Sequence, residues 1–301
     1  MLVRKGIILA GGNGNRLQPI TKVISKQLLP IYDKPMIYYP LSTLMLAGIN
    51  DILIITSHQD KDLFFKLLGN GSHLGIKINY EVQEKPEGIA QAFIIGKRFI
   101  GKSNVAMILG DNLFHGNYLI NQLKKSFRTK KGATIFVYPV SDPQRYGVVE
   151  FDLNGKVHKI EEKPNNSKSK FAITGLYFYD NTVIGKAESL NPSERGELEI
   201  TDLNNLYMKE GNLKVERMNR GMTWLDTGTL DSLHEASSYI RSLEKRQGLK
   251  IGCPEEIAWR MGLIDDGQLI KISQDMIISG YGNYLQSIVK ERESYLENIK
   301  T

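Results

Sequence analysis

The 301-residue sequence contains one cysteine, Cys253, and lacks any apolar run approaching the roughly 20 residues of a membrane-spanning helix. One cysteine excludes an internal disulfide framework, and we interpret it as a buried or bystander thiol of a reducing compartment. The five histidines lack zinc-ligand spacing, and no Gly-x-Ser-x-Gly nucleophile elbow is present. No secretory signal precedes the first apolar segment. We therefore expect a soluble, cytoplasmic protein with no membrane partner.

The formal net charge of +6 is compatible with anionic substrates. The densest basic cluster comprises Lys124, Lys125, Arg128, Lys130 and Lys131. Such a cluster either binds nucleic acid or forms the solvated face of a helix. We favour the solvated face, and hence no nucleic-acid partner, because no interleaved aromatic residues or recognised binding fold accompany the cluster.

Apolar runs and helical patterns alternate through the first part of the chain, as in a doubly wound sheet. Strands are predicted at 5–10, 52–56, 76–82 and 105–109, with helices at 35–47, 60–68, 88–99 and 118–128. Pro40 within the first of these helices predicts a late start or a kink. Later strands are predicted at 133–140, 148–151, 157–161, 173–179 and 213–218, and helices at 199–209, 254–261, 268–277 and 284–298; apolar residues at helical spacing from 230 to 243 predict one more.

These elements predict an α/β fold, with a Rossmann-like, doubly wound, mixed but mainly parallel sheet. A small β extension is expected to lie over the sheet, followed by C-terminal helices. We expect a core at 1–228, with a nucleotide half at about 1–132 and a sugar-binding half at about 133–228. The helical segment at 229–301 is expected to serve packing, oligomer contacts and possible regulation.

The most informative segment is GIILAGGNGNRL at residues 6–17, where an apolar strand enters a glycine-rich turn. Glycine allows backbone N–H groups to surround an anion, and Arg16 and Lys26 add fixed positive charge. The dinucleotide fingerprint is excluded because Leu17 stands where its third glycine or alanine belongs, and the P-loop spacing is absent. The glycines alone also fit an ordinary βα turn, but the two cations favour a triphosphate site.

A second candidate is Asp111, which follows the apolar run at 105–109. In a parallel sheet it emerges at the same edge as the glycine turn. A carboxylate at this edge suits Mg²⁺, which takes few protein ligands and several phosphate oxygens and waters. Asp226 also follows a short apolar stretch, but the sequence around it fits a helix cap or a turn better when it is taken alone.

Several collinear segments resemble the glucose-1-phosphate thymidylyltransferases, or dTDP-glucose pyrophosphorylases, of the sugar nucleotidyltransferase family. Besides residues 6–17 they are SKQLLPIYDKPMIYYP at 25–40, LGDN at 109–112, RYGVVE at 145–150, EEKP at 161–164, GELEITD at 196–202, WLDTGT at 224–229 and CPEEI at 253–257. The resemblance covers about residues 6–285 and implies Mg²⁺-dependent transfer of a thymidylyl group from dTTP to glucose 1-phosphate. The products are dTDP-glucose and pyrophosphate, the first step towards dTDP-deoxysugars such as dTDP-L-rhamnose.

The resemblance also implies roles for individual residues. Catalytic roles fall to Arg16, Lys26, Asp111, Lys163 and Asp226, with Asp111 and Asp226 as the metal ligands. Nucleotide binding falls to Gly11, Gly12, Gly14, Asn15, Arg16, Lys26, Gln27, Gln83, Gly88 and Asp111. Sugar-phosphate binding falls to Tyr146, Gly147, Glu162, Lys163, Ile173 and Arg195. Taken alone, Gln83 would be a solvated loop residue and residues 161–164 a charged strand end.

A second nucleotide site for feedback inhibition is implied at Gly116, Arg220, Glu256 and Arg260, although FHGN at 114–117 departs from the usual aromatic-Gly-His pattern. A homotetramer, built as a dimer of dimers, is implied as well. The alternatives are a related nucleotidyltransferase that uses UTP or another sugar phosphate, and a non-catalytic nucleotide-sugar sensor. Thymine and uracil differ by one methyl group, which a pocket discriminates by only about 1–3 kcal/mol.

Overall fold

The computed structural model describes residues 4–300, with the side chains of residues 4–292. The strands are β1 (Arg4–Ala10), β2 (Pro30–Ile31), β3 (Lys34–Pro35), β4 (Asp51–Thr56), β5 (Lys77–Val82), β6 (Asn104–Leu109), β7 (Asn112–His115), β8 (Ala133–Pro139), β9 (Gly147–Phe151), β10 (Val157–Glu162), β11 (Phe171–Tyr179), β12 (Leu213–Arg217) and β13 (Thr223–Asp226). The helices are α1 (Tyr38–Leu46), α2 (Lys61–Leu68), α3 (Gln91–Ile95), α4 (Lys97–Ile100), α5 (Leu119–Phe127), α6 (Val183–Glu188), α7 (Ile200–Lys209), α8 (Leu230–Gln247), α9 (Pro254–Arg260), α10 (Asp266–Gln274) and α11 (Tyr281–Lys300).

Nine strands form one central sheet, with the path β10-β9-β11-β6-β1-β4-β5; β8 pairs with β11 and β12. The ladders β6-β1, β1-β4, β4-β5 and β8-β12 are parallel. β11 is antiparallel to β6, β8 and β9, and β10 is antiparallel to β9, so β10 and β11 run against the other strands. The predicted mixed, mainly parallel α/β sheet is therefore confirmed.

Alternate residues of the central strands enter two separate cores, one on each face of the sheet. Ile8, Ile54 and Ala106 belong to one core, whereas Ile7 and Leu53 belong to the other. Both faces are covered by helices, which explains why these strands are continuously apolar rather than alternating. Because β1, β4, β5 and β6 are parallel, their carboxyl ends meet at one edge of the sheet, where loops are free to form a site.

Most predicted elements are present, with shifted ends. The helix predicted at 35–47 begins late, at Tyr38, as Pro40 indicated, because Pro35 lies in β3. The helix predicted at 88–99 is wrong as one element, since it is interrupted at Gly96 between α3 and α4. A Cβ at Gly96 would lie 3.0 Å from Ile7 Cδ1, so glycine allows close packing on β1. The helices predicted at 268–277 and 284–298 both begin earlier, at Asp266 and Tyr281.

The predicted β extension does not lie over the sheet. Strands β8 to β12 continue the same hydrogen-bonded sheet, and β11 joins them to β6. Sequence analysis missed the short strands β2, β3, β7 and β13 and the helix α6. Of these, β7 and β13 pair in a separate antiparallel ribbon with Asn112 opposite Asp226. This ribbon brings two distant acidic segments together.

The four C-terminal helices pack beside the core. α8 begins with a capping box between Thr229 and Ser232 and buries Ala236 and Ile240 against a third apolar cluster. α9, α10 and α11 enclose a fourth cluster around Trp259 and Leu285. Among the described residues, no helix is both long and apolar enough to cross a membrane.

Candidate active site

The glycine loop leaves β1 at Ala10 and folds into a 3-10 turn at Asn15–Leu17. Gly14 has φ 60°, and a Cβ there would lie 2.9 Å from Thr21 Cγ2, so a larger residue would be strained and crowded. Thr21 Oγ1 donates to the Gly14 carbonyl at 2.8 Å, and the fully buried Leu17 anchors the turn. The loop is thus fixed while Arg16 remains exposed on it.

Lys26 begins the 3-10 turn Lys26–Leu28 and is buried. Its ammonium group forms an ion pair with the carboxylate of Asp111, the residue that links β6 to β7. Burial opposes ionisation of Asp111, but the charge of Lys26 and hydrogen bonds from Lys26 and Asn112 outweigh it and lower its pKa. Asp111 is therefore held as a carboxylate at the edge of the sheet.

Asn112 connects Asp111 to the neighbouring strands. Its Nδ2 donates to Asp111 Oδ1 at 2.9 Å, and its Oδ1 accepts from the Gly175 N–H at 3.0 Å and from Trp224 Nε1 at 2.5 Å. The Asp111 carbonyl accepts hydrogen bonds from the amide and hydroxyl of Thr227. The β7–β13 ribbon thereby places Asp226 next to Asp111.

The pKa of Asp226 is shifted in the opposite direction. Burial and the negative charge of Asp111 raise its pKa to about 6, against the opposing charges of Lys26, Arg16 and Arg145. A second anion is disfavoured beside the first, so a cation at this position would be stabilised by both. Carboxylate oxygens are hard donors of the kind that Mg²⁺ prefers.

Three adjoining cavities surround the glycine loop, and Gly12 lines all of them. The inner cavity, about 300 Å³, lies between the two acids and β9–β11. The outer cavity, about 340 Å³, lies beyond Lys26 and includes Gly11 and Gln83. The loop cavity, about 210 Å³, lies between them and is lined by Gly12, Gly14, Asn15, Arg16, Lys26, Gln27, Asp111 and Gly228.

The inner cavity gathers most residues predicted for the sugar phosphate. Tyr146, Gly147, Glu162, Lys163 and Ile173 all line it. Glu162 Oε2 accepts from the Thr201 hydroxyl at 2.5 Å, and Lys163 has a positive φ of 44°, with its N–H bonded to the Tyr146 carbonyl at 3.0 Å. The sequence blocks at 145–150 and 161–164 therefore meet through the β9–β10 pairing.

Two predicted residues lie just outside these cavities. Arg195 is bound to Glu199 at 2.7 Å and lies 3.5 Å from Glu162, so it contacts a wall residue rather than the cavity itself. Gly88 is held against Leu198, where a Cβ would lie 2.4 Å from the Leu198 carbonyl oxygen. Their predicted binding roles stay predictions.

Sequence reasoning missed several residues that line the inner cavity. Arg145 also contributes positive charge near Asp226, and Asn112 holds Asp111 in place. The signal for Asn112 was its position directly after Asp111, whereas Thr201 and Gly175 come from segments whose proximity only the sheet pairing reveals. The missed lining residues are Leu9, Ile89, Leu109, Asn112, Arg145, Gly175, Tyr177, Ile200, Thr201 and Trp224.

A separate cavity of about 380 Å³ lies between α1, β7 and α9. Gly116, Glu256 and Arg260 line it, as does Lys250, but Arg220 does not. Glu256 Oε1 accepts from Arg260 Nε at 2.7 Å, and its other oxygen accepts from the Tyr284 hydroxyl. Three of the four residues predicted for a second nucleotide site are thus brought together.

In the described part of the chain, no three or more His, Cys, Asp or Glu side chains are grouped to hold a metal ion. Asp111 and Asp226 are a pair, which fits an ion that takes its remaining ligands from phosphate oxygens and water. The donor chemistry of this pair, including the raised pKa of Asp226, therefore suits a hard divalent cation.

The family model described as nucleotidyl transferase matches residues 5–242. The glucose-1-phosphate thymidylyltransferase of Neisseria meningitidis is 55% identical over 287 residues, covering 95% of this chain and 100% of the relative. The Mycobacterium tuberculosis enzyme of the same name is 55% identical over 286 residues, covering 95% and 99%.

Solved structures agree with this similarity. A Bacillus anthracis crystal structure that carries the same enzyme name, in complex with sucrose, has a TM-score of 0.74 and 43% identity over 79% of this chain and 96% of its own. A UDP-glucose pyrophosphorylase bound to UDP-glucose has a TM-score of 0.69 at 24% identity, over 80% of this chain and 100% of its own, which shows the shared fold. The chain belongs to the nucleotidyl transferase family and, within it, to the glucose-1-phosphate thymidylyltransferases.

Proposed function

We propose that this protein transfers a thymidylyl group from dTTP to α-D-glucose 1-phosphate, giving dTDP-glucose and pyrophosphate. The observation that supports this most directly is the meeting of three cavities at Gly12, with Asp111 shared by the inner and loop cavities. A base, a phosphate chain and a sugar phosphate each require a compartment of their own. The arrangement supplies all three along one edge of the sheet.

The outer cavity is assigned to the base and the loop cavity to the phosphate chain of dTTP. Gln83 presents an amide to the outer cavity, which suits the N3–H and O4 of a pyrimidine. The loop offers backbone N–H groups at Gly11, Gly12 and Gly14 without an interfering Cβ, and Arg16 and Lys26 neutralise phosphate charge. Asn15 and Gln27 complete the walls of the loop cavity.

The inner cavity is assigned to glucose 1-phosphate. Glu162 accepts hydrogen bonds from sugar hydroxyls, with its orientation set by Thr201, while Gly147 leaves space for this pair, since a Cβ there would lie 2.9 Å from Thr201 Oγ1. Tyr146 packs edge-on against Trp224 at 5.1 Å between ring centroids and closes one wall. Lys163 faces the phosphate of the sugar, and Arg195 supports this wall through Glu162.

The reaction is an in-line displacement. A phosphate oxygen of glucose 1-phosphate forms a bond to the α-phosphorus of dTTP, the bond from that phosphorus to the bridging oxygen breaks, and pyrophosphate leaves. The attacking oxygen is already ionised near neutral pH, so no general base is needed. Arg16, Lys26 and Lys163 offset the repulsion between the two anions and the charge that moves to the leaving group.

Asp111 and Asp226 would hold Mg²⁺, which supplies charge neutralisation at the reacting phosphate oxygens when it is bound. Lys26 forms an ion pair with Asp111, and burial together with the charge of Asp111 raises the pKa of Asp226. The two acids therefore ionise at different pH, Asp111 first, and cation binding favours the ionised form of both.

The test is pyrophosphate release with dTTP, glucose 1-phosphate and Mg²⁺, each omitted in turn, with the sugar nucleotide identified by mass spectrometry. Release that needs all three components and yields dTDP-glucose is the expected result. Replacing dTTP by UTP, and glucose 1-phosphate by other sugar phosphates, measures the breadth of the reaction. Tight dTDP-glucose binding without any release would instead identify a nucleotide-sugar sensor.

We further propose that the cavity between α1, β7 and α9 binds a nucleotide that regulates the enzyme. Arg260 and Lys250 bring positive charge to it, and Gly116 forms part of its wall, packed so closely that a Cβ there would lie 2.7 Å from Met222 Sδ. The test is whether dTDP-sugars still inhibit the enzyme when Arg260 is replaced. A homotetramer and a cytoplasmic location remain predictions, which analytical ultracentrifugation and cell fractionation would test.

A further inference from the structure

The amide of Gln83 is held by two neighbouring side chains for which no role has been assigned above. Gln83 Nε2 donates to Gln91 Oε1 at 2.6 Å, and Gln91 Nε2 donates to Glu87 Oε2 at 2.8 Å. We infer that Gln91, anchored by Glu87, is a positioning residue that fixes the orientation of the Gln83 amide and thereby selects thymine or uracil over cytosine. This inference rests on the proposed assignment of the outer cavity to the base.

The orientation of Gln91 is set by two groups that cannot exchange roles. The Glu87 carboxylate only accepts hydrogen bonds, so it requires the NH₂ end of Gln91. The Glu87 backbone N–H only donates, and it bonds to Gln91 Oε1 at 3.3 Å. Rotating the Gln91 amide by 180° would place oxygen against oxygen and N–H against N–H. Gln91 therefore always presents an acceptor to Gln83.

That acceptor in turn fixes Gln83, which is buried. With Nε2 turned toward Gln91, the Gln83 carbonyl oxygen turns toward the glycine loop, where a Cβ on Gly11 would lie only 2.4 Å from it. Among the described residues, no donor is bonded to this oxygen. It is therefore available, with the second hydrogen of Nε2, to a ligand in the outer cavity.

A fixed amide offers its N–H and its oxygen in one order only. Thymine and uracil match this order, because O4 accepts from Nε2 and N3–H donates to Oε1. Cytosine presents a 4-amino donor and an N3 acceptor, the reverse order, and would need the Gln83 amide rotated. Rotation would break the bond to Gln91 and bring two amide oxygens together at about 2.6 Å. We call Glu87, Gln91 and Gln83 the relay, and this relay discriminates between pyrimidines.

Comparison of dUTP with dCTP isolates this edge, since the two nucleotides differ only at positions 3 and 4 of the base. In Gln91→Met, an unbranched side chain of similar length fills the space but accepts no hydrogen bond from Gln83. We expect the dUTP/dCTP ratio of kcat/KM to fall about tenfold, the value of one modest hydrogen bond. The change should lie in KM, with kcat for dUTP altered by less than about threefold.

Two further variants separate positioning from a general structural effect. The double variant Glu87→Gln with Gln91→Glu exchanges donor and acceptor within the pair but still presents an acceptor to Gln83, so it should restore the dUTP/dCTP ratio. Gln268→Met makes the same substitution in the first turn of α10, where the amide donates to the His73 carbonyl at 3.2 Å. It should leave the ratio unchanged.

Equilibrium dialysis of dUTP and dCTP against the same four proteins gives a readout that does not need turnover. An unchanged dUTP/dCTP ratio in folded Gln91→Met would overturn the relay, as would failure of the exchanged pair to restore it. If the wild type binds dUTP but releases no pyrophosphate with dTTP and glucose 1-phosphate, the proposed reaction fails while the binding ratios still decide the relay. If the wild type binds neither dTTP nor dUTP, both proposals are wrong, whereas binding of dTTP without dUTP would overturn the relay alone, because the base would then not be selected by its 3,4 edge.

Discussion

Asp111 and Asp226 illustrate how neighbouring residues give two identical side chains different chemistry. Lys26 and Asn112 lower the pKa of Asp111, whereas burial and the charge of Asp111 raise the pKa of Asp226 to about 6. The pair thus carries less negative charge at neutral pH than two free carboxylates would. Sequence analysis predicted both acids, but only the structure shows their inequality, because it depends on partners from four separate segments.

The first prediction concerns Asp226→Asn in metal-free protein. Because the folded-state pKa of Asp226 is raised from 3.8 to about 6, wild-type stability should fall as pH rises through this interval, where the unfolded chain ionises first. The variant has no such loss and should have the higher Tm at pH 7. Its pyrophosphate release should nevertheless drop by about 10²–10³-fold, since one metal ligand is lost.

Thermal unfolding at several pH values, with and without Mg²⁺, and a turnover assay measure both effects. Mg²⁺ should raise the wild-type Tm more than that of Asp226→Asn. The exposed Asp275→Asn is the control and should change neither quantity. A lower Tm for Asp226→Asn in metal-free buffer at pH 7 would contradict the destabilisation that we assign to ionised Asp226, buried beside Asp111.

At the scale of elements, the β7–β13 ribbon gives the site its acidic pair, and Asn112 is the residue that joins the ribbon to the main sheet. Asn112→Ala leaves two buried donors, the Gly175 N–H and Trp224 Nε1, without their acceptor. Each unsatisfied buried donor costs about 1–3 kcal/mol, so we expect a loss of about 2–5 kcal/mol in the free energy of unfolding. Activity should fall as well, because Asp111 loses its partner.

Trp224→Phe is the matched comparison for this ribbon. It removes one of the two donors together with its need for an acceptor, so the cost of the lost bond should be only about 1 kcal/mol, apart from repacking. Urea denaturation of both variants gives the comparison. A smaller loss for Asn112→Ala than for Trp224→Phe would show that Asn112 does not join the two sheets.

A second prediction at this scale concerns the contact between α9 and α11. Glu255 is buried, and its Oε2 accepts from the Tyr281 hydroxyl at 2.8 Å beside Cys253. Burial raises the pKa of Glu255 despite these hydrogen bonds. An acid whose folded-state pKa is raised destabilises the fold as pH increases above its unfolded value of about 4.5.

Glu255→Gln removes this ionisation and keeps an acceptor for Tyr281. It should be close to wild type in Tm at about pH 4 and have the higher Tm at about pH 8. Differential scanning calorimetry across this range tests the expectation, with the exposed Glu291→Gln as the control. A difference from wild type that does not vary with pH would contradict it.

For the whole molecule, the order of strands and helices in the parallel half was predictable because buried parallel strands are continuously apolar and glycines mark their ends. The β7–β13 ribbon was not, since both strands are short and pair across more than a hundred residues. The residues of the site divide in the same way, into those with a local sequence signal and those placed by tertiary pairing. Gly12, Arg16 and Lys26 were evident locally, whereas Gly175 and Thr201 gained a place only through tertiary pairing.

The last prediction tests whether the three cavities act as one site through Gly12. A Cβ at Gly12 would meet no protein atom within 4 Å, and its φ is not in the left-handed region, so Gly12→Ala should fold with unchanged or slightly higher stability. The added methyl group would point into space assigned to the substrates. We expect kcat/KM for both dTTP and glucose 1-phosphate to fall at least about tenfold, because displacements near 1 Å are costly to catalysis.

Two further glycine variants make this result specific. Gly185→Ala, in α6, also meets no neighbouring atom and should preserve both stability and activity. Gly11→Ala places its methyl group 2.4 Å from Gln83 Oε1, so it should chiefly weaken dTTP binding and leave the KM for glucose 1-phosphate near the wild-type value. If Gly12→Ala impaired dTTP alone, the cavities would be independent, whereas loss of both substrates follows from a single shared residue at the centre of the site.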